Sequence, residues 1–269
     1  MKDVLSKDCT CLKTKKLYLF DMDGTIYLDD KLFDGVKELL ADVDKRGGKY
    51  VFITNNSSKS VSDYIKKLEK LGLTVDKDNF FTSTQAAAML FKEKFGKKLI
   101  YCQGTSSFVK ELKESGLNVT EEYDENINAV LVGFDSELNF EKLKKTCKLL
   151  TVKEVPYYAT NPDWVCPVDF GYVPDCGSMC FGIEKATGKK PIFIGKPQPT
   201  MIEVVMKKFG YSKDQTVVFG DRIYTDIASG VNAGVCSVMV LSGEATMEDY
   251  KKSEIKPDFV LNSIKDVIQ

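Results

Sequence analysis

The sequence predicts an α/β protein built on a doubly wound parallel sheet, and three observations carry that reading. Apolar runs such as Leu17-Tyr18-Leu19-Phe20 and Tyr50-Val51-Phe52-Ile53 are continuous rather than alternating, as in strands buried on both faces. Segments with apolar residues at helical spacing separate them. The runs also end in small, polar or acidic side chains, at the carboxyl edge where open α/β sheets place their ligands.

The first run ends in Asp21-Met22-Asp23-Gly24-Thr25. Ionised groups directly after a buried strand must be hydrated, paired or metal-bound. Gly24 permits a sharp or left-handed turn that leaves both acids facing one crevice. Taken alone, the stretch also reads as a strand followed by an acidic turn. A crossover helix is expected over 33–46, with Val36, Leu39, Leu40 and Val43 at helical spacing and a stop at Gly47-Gly48. The 50–53 strand then ends in Thr54-Asn55-Asn56-Ser57-Ser58, neutral donors suited to an anion. Ser58 or Ser60 equally suits the cap of a helix over 61–71, closed by Gly72.

A second α/β set follows from Phe80: helices over 83–95, 106–115 and 140–150, strands over 98–101, 128–132 and 155–159. Asn161-Pro162-Asp163 should break the last strand into a long loop reaching Pro174 and holding the only tryptophan, Trp164. Asp175-Cys176-Gly177-Ser178 opens a helix that runs to Thr187 and stops at Gly188. A short strand, Ile192-Phe193-Ile194, delivers Lys196 in a Gly-Lys-Pro corner as a fixed point charge, ahead of a 200–209 helix with Pro199 in its first turn. The 216–219 strand ends in Gly220-Asp221-Arg222, with Asp226 opening the next helix, and 235–240 and 257–260 supply further strands.

Composition excludes several chemistries. The chain has 269 residues, 38 basic and 39 acidic, and a net charge of −1, which argues against nucleic acid or an anionic membrane as partner. Lys7, Lys13, Lys15 and Lys16 interrupt any apolar stretch near the start, so a cytoplasmic protein is expected. Its 8 cysteines form neither a disulfide framework nor a zinc-finger spacing. With 0 histidines, serine–histidine and cysteine–histidine hydrolysis, histidine-ligated zinc and a phosphohistidine are all excluded. Arg46 and Arg222 are the only arginines, and none lies six positions after a cysteine, so lysine, backbone amides or a metal must neutralise any bound anion. Gly188-Lys189-Lys190 lacks the upstream glycine and following hydroxyl of a P-loop, and no dinucleotide fingerprint follows any strand.

If the strands ending at Phe20, Ile53, Ile194 and Phe219 share one sheet, Asp21, Asp23, Asp221 and Asp226 crowd one rim beside Thr54, Asn55 and Lys196. Two carboxylates about 4 Å apart repel by roughly 4 kcal/mol at an effective dielectric of about 20, so the cluster needs cations. All-oxygen ligands without histidine or thiolate favour Mg²⁺.

DMDGT at 21–25, TNNS at 54–57, GKP at 195–197 and GDRIYTDI at 220–227 resemble the four ordered motifs of the haloacid dehalogenase-like phosphatases. ATNPD at 159–163 and the PDCGSMC helix start resemble the NagD-like branch, whose α/β cap is inserted between the second and third motifs. The resemblance covers nearly the whole chain. It implies a Rossmann-like core over 1–81 and 189–269, an α/β cap over 82–188, and a Mg²⁺-dependent phosphate-monoester hydrolase working through an aspartyl-phosphate. In that scheme Asp21 is the nucleophile, and Asp23 is the acid and then the base. Asp21, the main-chain carbonyl of Asp23 and Asp221 hold the metal, with Asp226 as a supporting acid. Thr54, Asn55, Asn56 and Lys196 hold phosphoryl oxygens, and Asn161, Asp163, Asp175, Gly177 and Ser178 contact the leaving group.

The expected partner is a small phosphorylated metabolite, with nucleoside monophosphates and sugar phosphates ahead of phosphoglycolate-like acids. An exposed cap surface could pair two subunits as a homodimer. Two other classes fit less well: a phospho-acceptor signalling module, which would not need Asp23 or an inserted domain, and a catalytically silent binding protein, which would not need every motif residue.

Overall fold

The computed structural model describes residues 1–55, 61–168 and 170–268. Among these the chain forms two compact units, one from 1–54, 61–81 and 196–268, the other from 55, 82–168 and 170–195.

The first unit is built on a six-stranded sheet in the order Phe259–Leu261, Cys236–Val240, Thr216–Gly220, Leu17–Phe20, Lys49–Thr54, Phe80–Thr82. Leu17–Phe20 is central and parallel to both neighbours, and its four side chains are buried. Its register sets Phe20 beside both Phe219 and Phe52. Consequently Asp21, Gly220-Asp221 and Ile53-Thr54 leave the sheet along one rim. Aromatic rings fill the layer beneath, with Phe20 and Phe219 centroids 5.0 Å apart and Phe52 and Phe80 5.3 Å apart.

The Val36–Lys45 helix presents Val36, Leu39, Leu40 and Val43 to this core, as the spacing predicts. The Val61–Lys70 helix buries Tyr64 and Leu68. Ser58 and Ser60, weighed as its caps, lie outside the described residues, as do Asn56 and Ser57. A short antiparallel hairpin, Tyr27–Leu28 with Lys31–Leu32, follows Gly24 and has no sequence counterpart above. After Gly220 the chain makes a π-helical turn, Ile223–Ile227, before the Ala228–Ala233 helix.

The second unit carries a five-stranded sheet in the order Ile192–Phe193, Tyr157–Ala159, Ala129–Val132, Ile100–Gln103, Val119–Thr120, with every neighbouring pair parallel. Four helices accompany it, Ser83–Phe95, Ser106–Glu114, Phe140–Val152 and Cys176–Thr187. Thr82, Thr105, Asn139 and Asp175 cap them through their side chains.

Two expectations are corrected. The Ile192–Phe193 strand does not join Phe20, Ile53 and Phe219; it pairs with Tyr158 and Ala159 at the edge of the second sheet. Ile194 and Gly195 continue that ladder through their amides, to Ala159 O at 3.0 Å and Thr160 O at 2.7 Å, and Lys196 is delivered by the turn that follows. The stretch to Pro174 is not a structureless loop but an antiparallel hairpin, Val165–Val168 with Gly171–Pro174. Proline is tolerated there because a two-stranded ribbon is paired on one side only.

All eight cysteines are free thiols. Among the described residues no helix is long and apolar enough to cross a membrane.

Candidate active site

Asp21 leaves the central strand with its amide still in the ladder, 2.9 Å from Phe219 O. Lys196 Nζ donates to Asp21 Oδ1 at 2.5 Å, to Asp226 Oδ1 at 2.6 Å and to Ile53 O at 3.3 Å. The lysine and Asp226 side chains are almost wholly buried, 4% and 1% exposed, and Asp21 keeps 17% of its surface. Burial alone would lower the lysine pKa, but the charges of Asp21 and Asp226 raise it above the ordinary value. One cation nevertheless serves two carboxylates. Burial and the charge of Asp226 therefore push the Asp21 carboxyl well above the usual range despite the lysine.

Asp221 completes the acidic group. One carboxylate oxygen each from Asp21, Asp221 and Asp226 lie within 4.8 Å of one another. Asp226 has both oxygens engaged, Oδ1 by Lys196 and Oδ2 by the amide of Arg222 at 3.1 Å. Asp221 Oδ2 accepts from the amide of Glu244 at 2.8 Å, whereas its Oδ1 is buried without a hydrogen-bond partner among the described residues. A buried carboxylate oxygen left without a donor is costly, and burial followed by the charge of Asp226 raises the Asp221 pKa to about 6. A hard divalent cation held by Asp21 and Asp221 would resolve both problems, and an all-oxygen donor set suits Mg²⁺. The surroundings fit that role: Gly24, at φ 79°, and Gly243 leave the Asp221 carboxylate room that any β-carbon would fill.

Asp23 stands apart from this group, with its side chain 66% exposed. Its Oδ2 accepts from the Tyr27 hydroxyl at 3.3 Å, and its Oδ1 lies 3.8 Å from Lys67 Nζ. Thr54 is buried at the end of its strand, on the rim shared with Asp21 and Asp221. Asn56 lies outside the described residues.

Within the second unit, Asn55, Asn161, Asp163 and Asp175 form one hydrogen-bonded group. Asn55 and Asn161 both donate to Asp163 Oδ2, at 3.0 and 2.9 Å, and Asn161 also reaches Asp175 Oδ1 at 3.2 Å. Burial raises the Asp175 pKa. Gly177 is required by packing, since a β-carbon there would collide with Pro162 O, and its amide donates to Asp163 O at 2.9 Å. Ser178 turns its hydroxyl to Trp164 O. Both residues thus hold the start of the Cys176–Thr187 helix against the loop before it.

Sequence reading missed Tyr27 and Lys67 beside Asp23, and Gly243-Glu244 beside Asp221. The last pair had a usable signal. Ser242-Gly243-Glu244 follows a buried strand as the other small and acidic strand ends do.

Comparison with known proteins gives the family. The family profile described as haloacid dehalogenase-like hydrolase matches residues 18–118, and a second, HAD-hydrolase-like, matches 193–267. An acid sugar phosphatase of Staphylococcus aureus is 30% identical over 258 residues, covering 96% of this chain and 98% of the relative. The chloroplastic phosphoglycolate phosphatase 1A of Arabidopsis thaliana is 35% identical, covering 93% and 76%. Among solved structures, a 4-nitrophenylphosphatase from Thermotoga maritima superposes with a TM-score of 0.87 at 42% identity, covering 96% and 97%. NagD from E. coli K-12 gives 0.85 at 30%, covering 94% and 98%. A glycerol phosphate phosphatase from Mycobacterium tuberculosis, in complex with magnesium, gives 0.86 at 26%, covering 99% and 78%. With its parallel α/β core and second α/β unit, the chain belongs to the haloacid dehalogenase-like hydrolases, as a phosphoric monoester hydrolase of their NagD-like branch.

Proposed function

We propose that the protein is a Mg²⁺-dependent phosphatase that cleaves small phosphate monoesters through an aspartyl-phosphate on Asp21. The observation that carries this reading is the buried Lys196 shared by Asp21 and Asp226 beside an Asp221 oxygen with no donor. Asp21 and Asp221, with the main-chain carbonyl of Asp23, would hold Mg²⁺, which when bound supplies the positive charge that lets a carboxylate approach a phosphate dianion.

In the first step an Asp21 oxygen attacks phosphorus as the ester P–O bond breaks, and Asp23 gives its proton to the departing alkoxide. In the second, Asp23 as carboxylate takes a proton from water, whose oxygen attacks phosphorus. The P–O bond to Asp21 then breaks, releasing phosphate and restoring the free carboxylate. Lys196, Thr54, Asn55 and Asn56 stabilise the charge that builds on the phosphoryl oxygens, and Asp226 fixes the lysine.

The second unit, with its 82–188 segment, acts in this reading as a cap that selects the leaving group. Its candidate contacts are Asn161, Asp163 and Asp175, oriented by Gly177 and Ser178. The substrates are small phosphorylated metabolites, sugar phosphates or nucleoside monophosphates, handled in the cytoplasm without a nucleic-acid or membrane partner; a homodimer paired through the cap belongs to the same reading. The relatives named for sugar phosphates and glycerol phosphate support the first class.

The test is Asp21→Asn, assayed on p-nitrophenyl phosphate with Mg²⁺. Hydrolysis is abolished while the circular dichroism spectrum stays that of the parent. Retained turnover in that variant would remove Asp21 as nucleophile.

A further inference from the structure

We infer that Lys67 and Tyr27 are positioning residues for Asp23, holding its carboxyl in the orientation from which it passes a proton to the leaving group. The inference rests on the phosphatase reading above and extends it to two residues outside the four motifs.

The problem these residues solve is visible in the site. Asp221 and Asp226 are buried and Asp21 is tied to Lys196, whereas the Asp23 side chain is 66% exposed. An exposed aspartate turns freely about its side-chain bonds, and a general acid must be within hydrogen-bond reach of one oxygen. Each Asp23 oxygen has its own partner: Oδ2 the Tyr27 hydroxyl at 3.3 Å, Oδ1 the Lys67 ammonium at 3.8 Å. The two partners also hold each other, since Lys67 Nζ stands 3.9 Å from the centre of the Tyr27 ring.

Both anchors stand on elements packed against the core. Tyr27 is 1% exposed and sits in the Tyr27–Leu28 strand, with its carbonyl accepting from the Gly24 amide at 2.8 Å. Its burial, and next the charge of Asp23, raise its pKa, so the hydroxyl remains a donor throughout the working range. Lys67 projects from the Val61–Lys70 helix, which Tyr64 and Leu68 pin to the core. Among the described residues, Tyr27 supplies a hydrogen bond and Lys67 an ion pair to the Asp23 carboxylate.

The chemistry follows directly. When the Asp23 O–H proton moves to the ester oxygen and the P–O bond breaks, a carboxylate remains on Asp23, and the ammonium and the phenol hydroxyl beside it stabilise that charge. The cost of losing that alignment depends on the ester. An alkoxide cannot leave without the proton, whereas p-nitrophenolate can.

The experiment compares kcat/KM, which reports the phosphorylation half-reaction, for p-nitrophenyl phosphate and for the fastest-cleaved alkyl phosphate of a monoester panel. Lys67→Met lowers the alkyl value by about tenfold to a hundredfold, the range expected for a misaligned proton donor, and the aryl value several-fold less. Lys67→Arg restores most of the difference, and Tyr27→Phe acts in the same direction with smaller effect. In an Asp23→Asn background Lys67→Met adds nothing. Equal losses on both esters, or a further loss in the Asp23→Asn background, would overturn the inference. A different result, Asp23→Asn leaving both esters untouched, would instead overturn the phosphatase mechanism beneath it.

Discussion

Asp221 rests its Oδ2 against Gly24, so closely that a β-carbon at residue 24 would collide with it. The same glycine has φ 79°, a conformation that side chains avoid, so two separate physical demands fall on one position. Gly24→Ala should therefore push the Asp221 carboxylate away from Asp21. Calorimetric titration should show Mg²⁺ affinity reduced by about tenfold to a hundredfold, the range for disturbing the support of a metal ligand, with secondary structure retained. Unchanged affinity would mean that Asp221 does not hold the ion.

Lys196 is a buried cation between two acids, so its removal should be felt in stability as well as in turnover. Lys196→Met leaves Asp21 and Asp226 without their partner, and breaking a buried pair in this way costs roughly 3–5 kcal/mol. The cost is largest where Asp21 is ionised and shrinks as pH falls through about 8 and that carboxyl takes up its proton. Urea unfolding of the metal-free protein should therefore show a larger deficit at about pH 9 than at about pH 6, with phosphatase activity lost at both. A deficit independent of pH would place the lysine's contribution in packing rather than charge.

The acidic strand ends are legible because each interrupts a continuous apolar run, Asp21 after Leu17–Phe20 and Asp221 after Thr216–Gly220, and together they mark one rim where either alone reads equally as an acidic turn. What periodicity does not carry is partnership between strands. Ile192-Phe193 reads as a strand in either sheet, and only the ladder from Ile194 and Gly195 to Ala159 and Thr160 decides which. The 165–174 hairpin was hidden by Pro167 and Pro174, which argue against a strand unless one edge is left unpaired. The Glu244 amide on Asp221 left no trace of its own, because a backbone donor has no side-chain signature. Lys67 is one lysine among many, and its place in the sequence says nothing of the Asp23 carboxylate and the Tyr27 ring beside it.

Asp221 also makes stability depend on pH and metal together. Burial, followed by the charge of Asp226, raises its pKa from 3.8 to about 6, so the native state binds this proton more tightly than the unfolded chain does. The stabilisation is complete below the ordinary carboxylate range and is lost as pH rises through about 6, a swing of roughly 3 kcal/mol for a shift of about two pKa units. On the proposed reading Mg²⁺ would act in the opposite sense. Bound to the ionised native site it would add about 2.7 kcal/mol at one hundred times its dissociation constant, and it would have to displace the proton to do so at low pH. Melting measured in EDTA and in Mg²⁺ should therefore diverge as pH rises, with little gain from the metal at about pH 5 and a large gain at about pH 8. Asp221→Asn, which cannot ionise, should flatten both the fall of the metal-free curve and the gain from Mg²⁺. A gain from the metal that stayed constant across that range, or that survived in Asp221→Asn, would place the ion elsewhere.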